Sequence, residues 1–154
     1  MYKRQDQGFY PDGIWTAPTD KALKNDIILS MKAGFNGARL HEKVFEDRFH
    51  YWADKLGYIT WAEWGNWGAN ENAKGTETAF MHEWPKIVEH LKNHPSIITW
   101  TPFNETNTLE CNAQHKKLMR LAYDVTKKID PTRPVNETSG YQHCLLYTSP
   151  SPLD

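Results

Sequence analysis

The sequence has no excess of either charge. Over 154 residues, 18 Lys and Arg stand against 19 Asp and Glu, for a net charge of -1. Because the two signs are interspersed, the chain offers no field that would gather nucleic acid or an anionic membrane surface. It also contains no apolar run near the roughly 18 residues that span a bilayer, and its start lacks the apolar segment of a signal peptide. We therefore expect an uncharged partner and neither a nucleic acid nor a membrane.

Metal and cofactor signatures are absent as well. The two cysteines, Cys111 and Cys144, lie in unlike contexts and do not form a CxxC pair, so we expect neither a disulfide nor a zinc site. His41 and His50 lack the HExxH spacing of a zinc-binding helix. No glycine-rich phosphate fingerprint follows any predicted strand. The sequence therefore predicts no metal and no cofactor.

Aromatic residues, in contrast, are abundant. The chain holds seven Trp, seven Tyr and six Phe, and several of them cluster in the segment WAEWGNWG. Flat aromatic faces bind sugars well, but aromatic rings also fill the core of any domain because they bury a large area. For each Trp, both interpretations stay open.

The two ends differ in character from the rest of the chain. The first residues, MYKRQ, and the last, CLLYTSPSPLD, look like translated adapter or vector sequence. We expect residues 1–5 to be a non-native leader, residues 6–143 to form one domain, and residues 144–154 to be a non-native tail. The sequence gives no prediction of the compartment or of the oligomeric state.

Between the ends, predicted strands and helices alternate. A first helix with Thr19 or Asp20 as its cap is followed by three more helices, and each carries apolar residues at helical spacing. The predicted strands are FNGARLH, YITWAE, IITWTPFNE and PVNETSG. Strand and helix alternating at intervals of roughly 25 to 40 residues is typical of βαβ units with a parallel sheet.

Each predicted strand is apolar until its C-terminal end, where it becomes polar. The residues at these ends are Arg39, His41, Glu63, Asn104, Glu105, Asn136 and Glu137. A (β/α)8 barrel collects catalytic groups from the ends of several strands, whereas an open sheet concentrates ligand contacts at one switch point. The pattern favours an α/β fold that is a partial (β/α)8 TIM barrel of about four strand-helix units. Because a complete barrel needs about 250 residues, we expect further strands after PVNETSG and one before Asp6.

At this point the residues resemble a known family. The segments GFNGARLHEKVFEDRFHYWADKLGYITWAEW and NHPSIITWTPFNE are similar to the barrel of glycoside hydrolase family 2, which holds β-galactosidases, β-glucuronidases and β-mannosidases. The resemblance runs from about Asp6 to about Tyr141. Its most specific element is the Asn104-Glu105 pair, because an Asn-Glu pair at the end of the fourth strand marks the wider clan of retaining barrel glycosidases.

The resemblance implies roles for the strand-end residues. A retaining glycosidase uses two carboxyl groups about 5 to 5.5 Å apart, and Glu105 matches the one that donates a proton. Asn104 would hydrogen-bond the sugar 2-hydroxyl. The sugar site would be lined by Arg39, His41, Glu63 and Trp64. The family nucleophile lies near the end of the seventh strand, so we expect it to be missing, and Glu137, at the end of the fourth predicted strand, is not expected to replace it.

Other interpretations of these residues stay open. A strand-end Glu is commonly a solvated rim residue, and Arg39 could instead form an interior ion pair with Glu63. His94 and Arg133 precede strands, where recurring motifs indicate stability. The sequence predicts a fragment of a retaining β-glycosidase acting on a carbohydrate and inactive alone. The alternatives are an endo-acting glycanase of the same clan and a noncatalytic carbohydrate-binding barrel, which would lack a Glu at the end of a later strand.

Overall fold

Parallel strands and helices alternate along the chain. The computed structural model describes residues 3–106 and 111–139. The strands are β1 (Lys3–Asp6), β2 (Gly37–Leu40), β3 (Ile59–Glu63) and β4 (Ile97–Thr101), and the helices are α1 (Asp20–Lys32), α2 (Asp47–Leu56), α3 (Lys74–Leu91) and α4 (Ala113–Ile129). In the described part of the chain, no helix combines the length and the apolar character needed to cross a bilayer.

The strands form one parallel sheet in sequence order. β1 pairs with β2, β2 with β3 and β3 with β4, and all three pairings are parallel. Beyond β4, two isolated parallel β-bridges join Val135 to Trp100 and Thr138 to Phe103. This is the α/β architecture that the sequence predicts, with its consecutive strands laid side by side as in one arc of a barrel.

The first strand overlaps the residues that were expected to form a non-native leader. Arg4 and Gln5 lie in β1, where Arg4 is level with Ala38 of β2. The Arg4 guanidinium is paired with the carboxylates of Asp6 and Asp26. The strand KRQD is polar and only four residues long, so no apolar pattern reveals it. β1 therefore fills the strand position that was expected to be missing before Asp6.

Helix boundaries follow the predicted caps. Thr19 is the N-cap of α1, and its hydroxyl accepts a hydrogen bond from the Ala22 N–H at 3.1 Å. α2 ends at Gly57, whose φ of 69° lies in the left-handed region that glycine adopts without strain. α4 starts from Asn112, whose side chain accepts from the His115 N–H at 2.9 Å.

The apolar core lies between the sheet and the helices. One cluster gathers around Trp84, Trp100 and Phe103, and a second gathers around Ile27 and Phe49; all five of these side chains are fully buried. Because side chains alternate along a strand, the residues between the core positions point to the other face of the sheet. That other face carries the polar side chains of the candidate site.

Arg133 stabilises the end of the barrel opposite the candidate site. Its guanidinium donates to the carbonyl oxygens of Lys92 at 2.7 Å and His94 at 2.9 Å, and to Asp130 at 2.6 Å. It therefore ties the turn after α3 to the end of α4. This placement agrees with the structural role predicted for residues before the strands.

Asp130 is expected to make the stability of this end depend on pH. Burial alone would raise the pKa of its carboxyl, but hydrogen bonds from Thr132, Trp100 and Arg133 hold the pKa well below its usual value. A group with a depressed folded-state pKa stabilises the fold above its unfolded pKa, near 4, and the contribution is lost as the pH falls below that value. Asp130→Asn should therefore cost about 1.5–3 kcal/mol of unfolding free energy at pH 7.

Thermal denaturation of the full-length protein and its Asp130→Asn variant between pH 3 and pH 7 tests this prediction. The difference in midpoint should shrink at the acid end. Asp124→Asn, an exposed position on α4, is the matched control and should change the midpoint little at any pH. Equal midpoints for Asp130→Asn and wild type at pH 7 would contradict the assignment.

The cysteine prediction is wrong in one respect. Cys111 is disulfide-bonded, although its sequence context gave no sign of it. A disulfide depends on whether two Cα atoms come within about 7 Å, which spacing along the chain does not reveal. Cys144 lies outside the described residues.

Candidate active site

An Arg-Glu pair joins the ends of β2 and β3 on the polar face of the sheet. Arg39 Nε donates to Glu63 Oε2 at 2.7 Å, and its Nη2 donates to Glu63 Oε1 at 3.1 Å. This is the two-pronged geometry that matches a guanidinium to a carboxylate. The Glu63 side chain is fully buried, and its Oε1 also accepts the backbone N–H of Glu42 at 3.0 Å. The interior ion pair that the sequence left open is therefore present.

His41 and Asn104 complete this network. Arg39 Nη2 also donates to Asn104 Oδ1 and lies 3.1 Å from His41 Nδ1. The same Nδ1 lies 3.3 Å from Glu63 Oε1, so the His41 ring is held between the guanidinium and the carboxylate. The backbone of Asn104 is held in turn by Ser139, whose N–H donates to its carbonyl oxygen at 3.1 Å. The sequence predicted that these strand ends lie together. The structure places Arg39, His41, Glu63 and Asn104 in one network there.

Glu105 follows directly and faces open space. Its side chain is exposed, and it lines a pocket of about 250 Å³. The other residues lining this pocket are Glu42, Asn66, Trp67, Gly68, Ala69 and Glu71. Glu42 comes immediately after His41, so Glu105 lies on the same rim as the network and not on the rim of Arg133. This carboxyl group can therefore exchange a proton with a ligand in the pocket.

Glu42 is a site residue that the sequence did not single out. Its φ of 55° lies in the left-handed region, which non-glycine residues rarely adopt. In this conformation its Oε2 accepts the backbone N–H groups of Asn66 at 2.7 Å and Trp67 at 3.0 Å. Burial, together with the nearby Glu63 carboxylate, raises the pKa of Glu42 in spite of these hydrogen bonds. A side chain on Gly65 would collide with the Glu42 carbonyl oxygen at 2.9 Å, which explains glycine there.

Asn66 is a second residue that the sequence did not reveal. The side chain is buried, its Oδ1 accepts the Asn104 N–H at 2.7 Å, and its Nδ2 donates to Glu71 Oε1 at 3.0 Å. Asn66 therefore connects the loop after β3 to the backbone beside Glu105. The signal that could have found it is a polar residue in the aromatic segment WAEWGNWG, directly after a predicted strand end.

Trp64 does not fit its predicted role. The ring is buried in the cluster of Trp84 and Phe103, on the opposite face of the sheet from Glu63, and it packs edge-to-face against Phe80 at 5.3 Å. Its indole N–H donates to Glu83 at 2.9 Å, so the polar atom is used within the fold. A sugar at the strand ends would not reach this ring. The exposed indole of the same segment is Trp67.

Glu137 lies beside β4 but in a different environment from Glu105. The side chain is buried, and burial raises the pKa of its carboxyl to about 7. A nucleophilic carboxylate must be ionised to attack, so a raised pKa does not suit that role near neutral pH. That Glu137 is not the nucleophile stays a prediction. Within residues 3–106 and 111–139, no group of three or more His, Cys, Asp or Glu side chains is arranged to hold a metal ion.

Comparison with known proteins identifies the family of this barrel segment. The sequence model described as "Glycosyl hydrolases family 2, TIM barrel domain" matches residues 17–148. A β-glucuronidase from Bacteroides fragilis is 31% identical over 127 residues, which are 76% of this chain and 18% of that protein. A β-galactosidase from Psychromonas ingrahamii is 42% identical over 62 residues, which are 40% of this chain and 5% of that protein.

Solved structures give the same result for the fold. The crystal structure of a Bacteroides uniformis β-glucuronidase superposes with a TM-score of 0.69 at 26% identity, and the match covers 87% of this chain and 17% of that one. The chain thus spans less than a fifth of the length of each of these relatives. With the strand order, the strand-end network and the matched residues in agreement, this chain belongs to glycoside hydrolase family 2 and forms part of its TIM-barrel domain.

Proposed function

We propose that a full-length protein carrying this chain is a retaining β-glycosidase in which Glu105 is the acid/base carboxyl group. The observation that supports this best is that Glu105 opens into a pocket beside the network of Arg39, His41 and Asn104. The ends of β2 and β4 thereby supply one exposed carboxyl group and several polar side chains to one mouth. A barrel glycosidase needs this combination at the C-terminal ends of its strands.

In the first step, the protonated Glu105 gives its proton to the oxygen of the glycosidic bond as that bond breaks. A second carboxylate attacks the anomeric carbon from the opposite face, so that the leaving alcohol departs and a glycosyl-enzyme ester remains. In the second step, the ionised Glu105 removes a proton from water, the water oxygen displaces the ester, and both carboxyl groups return to their starting states. We place the second carboxylate on a strand outside the described residues.

The remaining residues bind and position the sugar. Asn104 is fixed by Arg39 and by Ser139, so its amide can hold the 2-hydroxyl without first losing conformational freedom. We assign His41 a hydrogen bond to a sugar hydroxyl, because it belongs to the same network at the strand ends. Glu63 is fully buried and forms an ion pair with Arg39. We therefore propose that it positions Arg39 and His41 and does not contact the sugar itself.

Covalent labelling of the nucleophile tests the proposed mechanism. A 2-deoxy-2-fluoro β-glycoside with an activated leaving group should inactivate the full-length protein and leave the sugar on one carboxyl group. Peptide mass spectrometry should place the label on a Glu outside residues 3–139. A label on Glu137 would contradict the placement of the nucleophile. Proton NMR of the hydrolysis reaction shows the anomeric configuration of the first product, and an inverted configuration would contradict the retaining mechanism.

A further inference from the structure

We propose that the loop between β3 and α3 forms a leaving-group subsite, in which the Trp67 indole is the platform for a neutral, ring-shaped alcohol such as a second sugar or a phenol. The inference rests on the proposed role of Glu105 and extends it to the other side of the bond that is cut. Trp67 and Glu105 line the same pocket. An alcohol that receives its proton from Glu105 would therefore leave through the space beside this indole.

The Trp67 ring is available for stacking. It is 81% exposed, the highest value among the large apolar side chains of the described residues, while Trp64 of the same segment is buried in the core. In the described part of the chain this indole is not buried by packing, and its face is open at the edge of the pocket. A flat apolar face at the edge of a pocket is the surface on which a sugar or phenyl ring stacks.

The backbone that carries Trp67 is fixed although the ring is exposed. Its N–H donates to Glu42 Oε2 at 3.0 Å, and the next residue, Gly68, turns the chain with a φ of 80°. Asn66 then sets the distance between this loop and Glu105, because its Oδ1 holds the Asn104 N–H at 2.7 Å. The platform and the proton donor are thus connected through one buried side chain. A rigid platform loses less entropy when a ligand binds than a mobile one.

The charges of the pocket narrow the class of leaving group. Glu42, Glu71 and Glu105 line it, and the described residues that line it include no Lys or Arg. Carboxylates accept hydrogen bonds from hydroxyl groups but repel an anion, and repulsion of this kind is how a site rejects the wrong ligand. The subsite should therefore accept an alcohol rich in hydroxyl groups or a plain phenol, and disfavour a leaving group that carries a carboxylate.

The test compares two substrates of the full-length protein that share one sugar. A phenyl β-glycoside places a ring in the subsite, whereas a β-glycosyl fluoride has a single-atom leaving group that does not reach Trp67. Trp67→Ala should lower the ratio of kcat/KM for the phenyl glycoside to that for the fluoride by about tenfold, which is the scale of one aromatic stacking contact. Trp67→Phe should keep most of the ratio. Turnover of the fluoride also reports whether each variant is folded.

Tyr51→Ala supplies the matched control, since Tyr51 is an exposed aromatic residue on α2, away from the pocket, and should leave the ratio unchanged. The wild type should also hydrolyse a phenyl glycoside faster than a carboxyphenyl glycoside whose leaving phenol has a similar pKa. An unchanged ratio in Trp67→Ala would overturn the subsite, even if Glu105→Gln slowed substrates with poor leaving groups more than activated ones. If Glu105→Gln slowed both kinds of substrate equally, the role of Glu105 would be overturned instead.

Discussion

Replacing Glu105 with Gln in the full-length protein is expected to slow the hydrolysis of an alkyl β-glycoside by about 10² to 10⁴. The amide cannot give up a proton, so a poor leaving group must depart as an alkoxide. A dinitrophenolate is stable without a proton, and its departure should be slowed much less. The measurement is the rate of the glycosylation step for a series of β-glycosides whose leaving groups differ in pKa. The variant should show a much steeper dependence on that pKa than the wild type.

A matched variant separates this effect from a general loss of fold. Glu89 is an exposed glutamate on α3, and Glu89→Gln should leave both the rates and their dependence on the leaving group unchanged. If Glu105→Gln slowed activated and unactivated substrates by the same factor at the glycosylation step, Glu105 would not be the acid. If the dependence steepened only in the Glu105 variant, the proton would be assigned to this carboxyl group.

The 154-residue chain alone is expected to show no glycosidase activity and to associate in solution. We place the nucleophile outside it, so no glycosyl-enzyme ester can form. Among the described residues the sheet does not close: β1 lies at one side, and residues 135–139 lie at the other. Unpaired strand edges are sites of association. Apolar surface on the sheet adds to this tendency, since Ile98 in β4 is 38% exposed.

Aryl β-glycoside assays combined with light scattering test this prediction on the expressed chain. The expected result is no turnover above background together with dimers, larger species or loosely packed material. A monodisperse, cooperatively folding monomer would contradict the expected association. Turnover that Glu105→Gln abolishes would require a nucleophile within the chain, and Glu137→Gln would be the next variant to measure.

Much of the fold follows from sequence patterns of short range. The cap signal at Thr19 and the apolar stripes of the four helices predicted the helices, because caps and periodicity depend on neighbouring residues. The same holds for β2, β3 and β4, which are apolar until their ends. β1 was missed because the segment KRQD is held by pairing with β2 and by the ion pairs of Arg4, which no local pattern encodes.

The residues of the candidate site likewise include some that sequence patterns predict and others that they do not. Arg39, His41 and Asn104 were predicted to lie together because polar side chains at the ends of parallel strands meet at one edge, and the structure joins them in one network. Trp64 was predicted to line the sugar site, but its indole is buried in the core, which depends on packing among α3, β3 and β4. Asn66 and Glu42 act through backbone groups of distant segments, so only the three-dimensional arrangement reveals them.

Azide rescue of a Glu105→Ala variant tests the central claim most directly. In the full-length protein, an activated aryl β-glycoside should still form the glycosyl-enzyme ester, but the ester should persist because no base activates water. Azide needs no base and should fit the space left by the carboxyl group, so it should restore turnover and yield the β-glycosyl azide, identified by proton NMR. Absence of rescue while the ester accumulates, or an α-glycosyl azide as the product, would contradict the assignment of Glu105 as the acid/base residue.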